Sequence, residues 1–177
     1  MMHLFSISPS EQVIFAPGNL VKADNQYTVG SGSETYKFEE VSEMGQTNNG
    51  SLGYGSTPTE TSARAYFQWG ELATGNNTPR SFTVNGVEGW KVLTKAQWYY
   101  LLNTRTMNSR VGRYYRVTTT TLCSDGSTRL FGLLLPPDGA TRADIAGLSD
   151  GATDVDITTY LNKGFVFLPA AGYFYYP

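Results

Sequence analysis

His3 and Cys123 are the only imidazole and the only thiol in this 177-residue chain. A Ser-His-Asp or Cys-His site would have to recruit its base from His3, close to the amino end, where residues are poorly held unless something ties them down. Cys123 adjoins Ser124-Asp125-Gly126 and reads as a small apolar filler at a strand end rather than a nucleophile. Asp150, Asp154 and Asp156, beside Gly151, are hard oxygen ligands that could serve calcium, but their register does not match an EF-hand loop. They read as turn residues and helix caps. Glu39, Glu40 and Glu43 could pair as general acid and base, yet their neighbours give no sign of burial and place them on a solvated face. The chemistry-bearing residues therefore predict no catalytic group, no metal and no cofactor.

Aromatic residues weigh differently. Trp69, Trp90 and Trp98 sit inside apolar patterns and read as core. Tyrosine offers rigid contact area with a polar tip and is favoured at recognition surfaces. The predicted ligand-binding or interface set is Tyr114, Tyr115, Tyr173, Phe174, Tyr175 and Tyr176. With 13 basic against 15 acidic residues and a net charge of −2, and with no Lys/Arg-rich run, a nucleic-acid partner is not expected. Charged residues are only 16%, against 19 Gly and 12 Tyr, a balance that suits a loop-rich, β-rich extracellular protein. One cysteine cannot close an internal disulfide, so packing and hydrogen bonds must hold the loops.

The elements that must position these residues are short. Thr94 fits an N-cap, with Gln97 three residues on completing a capping box and Leu93 and Trp98 placed for a hydrophobic staple. Trp98, Leu101 and Leu102 then share one helical face. Asn85-Gly86 between Phe82-Thr83-Val84 and Val87-Glu88-Gly89-Trp90 predicts a hairpin, because both turn residues tolerate positive φ. A second hairpin runs from Arg113 to Leu122, turns at Asp125-Gly126 and returns from Thr128 to Leu135, where Pro136-Pro137 stops it. Val13-Ile14-Phe15 reads as an early strand and Phe165-Val166-Phe167-Leu168 as a last one, halted by Pro169. Met44 to Ala63 is a long surface loop. Ala140 to Tyr160 is loop, with one short helix near Asp156 to Leu161. No segment approaches the roughly 18 apolar residues of a membrane span. Met1 to Ser8 lacks the basic start and apolar run of a signal peptide, so export would need a leader outside this sequence or another exit such as a phage particle.

The stretch from Trp90 to Arg105, reading W-K-V-L-T-K-A-Q-W-Y-Y-L-L-N-T-R, resembles the signature of the Fibrobacter succinogenes major paralogous domain family. Four further segments resemble the same family in the same order: Phe15 to Leu20, Phe67 to Gly70, Gly132 to Gly139 and Phe165 to Tyr173. The resemblance implies an α+β domain similar to the C-type lectin and formylglycine-generating-enzyme folds, here as a single domain over residues 1–177 with short antiparallel strands, one clear helix and long loops. It further implies secreted or surface proteins of gut-type bacteria, related to ligand-binding proteins that retroelements diversify in bacteria and phages. Formylglycine-generating enzymes use two cysteines and this chain has one. Family members usually continue beyond the Leu168-Pro169-Ala170-Ala171-Gly172-Tyr173 segment, so the chain would be a fragment, a shortened member or one that borrows a strand from a partner.

Together these readings lead to a non-catalytic ligand-binding module on a bacterial cell surface or phage tail, contacting protein or glycan. The alternative is a structural subunit that assembles as a homo-oligomer or with a partner through its C-terminal aromatic segment.

Overall fold

The computed structural model describes residues 3–16, 20–22, 36–38, 73–74, 78–79, 81–121 and 129–169. The chain is α+β, built from small antiparallel sheets and short helices. It divides into two compact units, one formed by Met1–Phe15 with Lys95–Ala170 and the other by Ala16–Thr94 with Ala171–Pro177.

The first unit opens with β1 (Phe5–Ser6) and β2 (Gln12–Val13), paired antiparallel across a turn in which the Ile7 N–H donates to Glu11 O at 3.0 Å. The early strand is thus shorter than the apolar run Val13-Ile14-Phe15 suggested. Ile14 is exposed, and Phe15 leaves the strand to set its ring edge-on against Phe5, with centroids 5.0 Å apart.

In the second unit β3 (Leu20–Lys22) pairs with β4 (Tyr36–Phe38), β5 (Ala73–Thr74) with β6 (Thr78–Pro79), and β7 (Ser81–Val84) with β8 (Val87–Lys91). The β7–β8 hairpin follows the sequence expectation, since Asn85 and Gly86 both take positive φ, 51° and 77°. That primed turn twists in the same sense as the strands it joins. Alternation along β7 buries Phe82 and Val84 and exposes Ser81 and Thr83.

Helix α1 (Lys95–Tyr99) begins directly after Thr94 and widens into a π-helical turn, Tyr100–Thr104, closed by the Arg105 N–H on Tyr100 O at 2.9 Å. The expected helix is therefore half α and half π. Leu101 is fully buried, while Trp98 and Leu102 are half-buried. Trp90 is also half-buried, less enclosed than its apolar neighbours implied.

Strands β9 (Tyr115–Thr119), β10 (Leu130–Leu135) and β11 (Val166–Pro169) form the largest sheet among the described residues, with β10 central. One face carries Tyr115, Val117, Leu130, Leu134 and Phe167, all buried. Pro169 lies inside β11 rather than beyond it, opposite Gly132. An edge strand tolerates proline because the missing N–H faces away from the ladder. The other flank of β9 is taken by residues 150–155, where Thr118 N donates to Ala152 O at 3.0 Å and Val155 N to Thr118 O at 2.9 Å. Helix α2 (Ile157–Leu161) is capped by Asp156, whose carboxylate accepts the Thr158 N–H at 3.1 Å and the Thr159 hydroxyl at 2.9 Å.

Candidate recognition site

Among the described residues of the first unit, the most connected polar centre is one that the sequence reading does not mark as functional. Arg105, at the end of the π turn, is 0% exposed. Its Nη1 donates to Asp138 Oδ1 at 3.1 Å and its Nη2 to the Arg113 carbonyl at 2.5 Å, with the guanidinium 5.7 Å from the Phe5 ring centroid. The buried Nε has no hydrogen-bond partner among the described residues. Asp138 Oδ2 accepts the Ser6 N–H at 2.8 Å, the Ser6 hydroxyl at 2.7 Å and Gln12 Nε2 at 3.0 Å, while the Asp138 N–H donates to Leu4 O at 3.0 Å. Burial pushes the guanidinium pKa down from its ordinary value, and the Asp138 carboxylate opposes that shift. One carboxylate thus pins β1, β2 and the end of the π turn to the Pro136-Pro137-Asp138-Gly139 turn after β10.

Arg105 also closes a loop. Arg113 Nε donates to the Arg105 carbonyl at 2.7 Å while Arg105 Nη2 donates to the Arg113 carbonyl, so the two arginines clamp each other's backbone at the neck of the loop formed by residues 106–112. Compact loops with adjoining ends, packed by their own side chains, recur at functional sites. This one is packed from inside by Val111, 8% exposed, and tied outward by Asn108 Nδ2 to Ala140 O at 2.7 Å.

Tyr114 and Tyr115, both predicted contact residues, follow that neck and separate. Tyr114 is 37% exposed. Tyr115 is a correction: its ring lies in the core at 8% exposure and its hydroxyl accepts the Gly112 N–H at 2.8 Å. β9 begins at Tyr115, and the period of two along a strand puts Tyr115 on the same face as the buried Val117. Tyr173, Phe174, Tyr175 and Tyr176 lie outside the described residues, as do Trp69, Cys123, the Glu39, Glu40 and Glu43 cluster and the Met44 to Ala63 loop.

The acidic cluster is dispersed. Asp150 bonds the Arg116 N–H at 2.8 Å and its guanidinium at 2.5 to 3.1 Å, Asp154 meets Arg129 at 3.3 Å, and Asp156 caps α2. The side-chain bond from Arg116, with that residue's backbone N–H, holds the Asp150 carboxyl at about 2. Among the described residues no three His, Cys, Asp or Glu side chains gather as a metal site. His3 is half-buried and packs against Gly164. No helix among the described residues is long and apolar enough to cross a membrane.

Compared with known proteins, the chain matches no protein-family model, no curated protein and no solved structure.

Proposed function

We propose that the chain is a non-catalytic ligand-binding module of C-type-lectin-like fold, displayed on a bacterial cell surface or phage tail, where it contacts protein or glycan. The observation that carries this reading is the clamped loop between Arg105 and Arg113. A rigid scaffold holding an exposed, polar loop is the arrangement binding proteins use, because preorganisation removes the ordering cost of association. The Arg105–Asp138 pair supports a non-catalytic role, since its bonds are directed at backbone and neighbouring strands. The family resemblance supports the fold and the setting, as Arg105 and Asp138 each belong to a segment that carries it.

The test is display of the intact protein against arrays of bacterial surface glycans and proteins, with Tyr114→Ala alongside. Saturable binding that Tyr114→Ala weakens, at unchanged melting temperature, is the expected result. Turnover of any bound glycan or protein would overturn the reading, and so would the absence of saturable binding on every array.

A further inference from the structure

Six arginines and no lysine lie between Arg105 and Arg142, against two aspartates, in a chain whose net charge is −2. The structure sorts these arginines into two groups. Arg105, Arg116 and Arg129 pair with Asp138, Asp150 and Asp154. Arg110, Arg113 and Arg142 are exposed, and none has an acidic partner among the described residues. Arg113 is held through Nε by the Arg105 carbonyl, which leaves its outer N–H groups to the solvent side. Arg110 stands in the same clamped loop, two residues from Asn108. The Asn108 side chain bonds Ala140 O, two residues before Arg142. Two residues of chain reach no further than about 7 Å, so Arg110 and Arg142 each lie within that length of chain from one hydrogen-bonded contact between the loop and the segment after β10.

We infer that Arg110, Arg113 and Arg142, with Tyr114 beside them, form a contact surface for carboxylates of an acidic protein partner; this rests on the binding-module reading above. Guanidinium forks match carboxylates bidentately, which lysine does not do, and arginine and tyrosine are the residues that dominate protein contact surfaces. Exposed guanidinium groups without an acidic partner suit a few short, directed pairs, and pairs at an exposed surface weaken as salt rises.

A second observation is independent of charge. Arg110 holds φ at 68°, the left-handed region that non-glycine residues adopt only at a cost. Glycine would take that conformation freely, so stability alone favours glycine at this tip. A strained arginine at an exposed, anchored tip is a cost that a contact role explains.

Arg110→Gly therefore separates the roles. The intact chain and the Arg110→Gly and Arg142→Glu variants would be titrated with poly-L-glutamate, polygalacturonate and a single-stranded oligonucleotide at two salt concentrations. The expected result is preference for poly-L-glutamate, weakened by salt, with affinity falling about tenfold or more in each variant while the melting temperature of Arg110→Gly stays level or rises. Binding that both variants leave unchanged overturns the surface, as does preference for polygalacturonate or the oligonucleotide, which would assign it to a glycan or a nucleic acid. An array ligand still held by Arg110→Gly would overturn this surface while leaving the module standing; loss of every array ligand by the unsubstituted chain is the separate failure of the module itself.

Discussion

Asp138 receives three side-chain or backbone donors on one oxygen and the buried Arg105 on the other. Asp138→Asn keeps the shape but leaves a fully enclosed guanidinium uncompensated, a change that costs about 3–5 kcal/mol when one partner of a buried pair is lost. Urea denaturation should show that loss, and the double variant Arg105→Met with Asp138→Leu should recover part of it. Asp150 is an exposed case. Its folded value of about 2 lies below the unfolded value of about 3.9. Its contribution is therefore complete above the unfolded value and is lost as pH falls through the folded one. Thermal melts from about pH 5 to about pH 2 should lose less stability in Asp150→Asn than in the unsubstituted chain. At this scale the sequence announced little of the centre. Arg105 and Asp138 are 33 positions apart, and a buried charge looks like any other charge until its surroundings are known. The arginine excess between Arg105 and Arg142 was the signal that could have drawn attention to the loop.

Gly132 sits in the middle of β10, where an isolated glycine ordinarily weakens a strand. A Cβ there would stand 2.5 Å from both the Leu168 carbonyl oxygen and Phe167 Cε2. Backbone and a buried ring cannot both retreat, so Gly132→Ala should destabilise by about 1–3 kcal/mol, outweighing the roughly 0.5–1 kcal/mol that alanine regains in a strand interior. A denaturation midpoint equal to that of the unsubstituted chain would show that β11 can shift away. The β7–β8 hairpin was legible because turn chemistry and alternation are local properties, and β9 pairs antiparallel with β10 as the second hairpin requires, while its Asp125-Gly126 turn lies outside the described residues. Asn85-Gly86 prescribes its own φ values, and Pro136-Pro137 ends β10 wherever it packs. The π turn was not legible, since one more residue in a turn leaves the apolar spacing of Trp98, Leu101 and Leu102 almost unchanged. Pro169 was placed outside its strand because the rule that proline stops a strand holds for central positions, and edge position is a property of the sheet.

Across the whole molecule, the carboxylates that sequence gathers are drawn apart by different partners: Asp150 to Arg116, Asp154 to Arg129 and Asp156 to its own helix. EDTA should leave the melting temperature where it was. A drop restored by calcium and abolished by Asp154→Ala would show a metal bound to the native state. What the sequence by itself determined is a set of local signals: the Asn85-Gly86 turn, the apolar strand runs and the proline stop after Leu135. These follow from alternation and turn residues, each readable within a few positions. Tertiary structure alone decided that Tyr115 is core while Tyr114 is surface, that Arg105 is buried on Asp138, and that Arg110 and Arg113 stand on a loop clamped at its neck. Each of those depends on which distant segments share a face or a hydrogen bond, and a linear pattern does not contain that pairing.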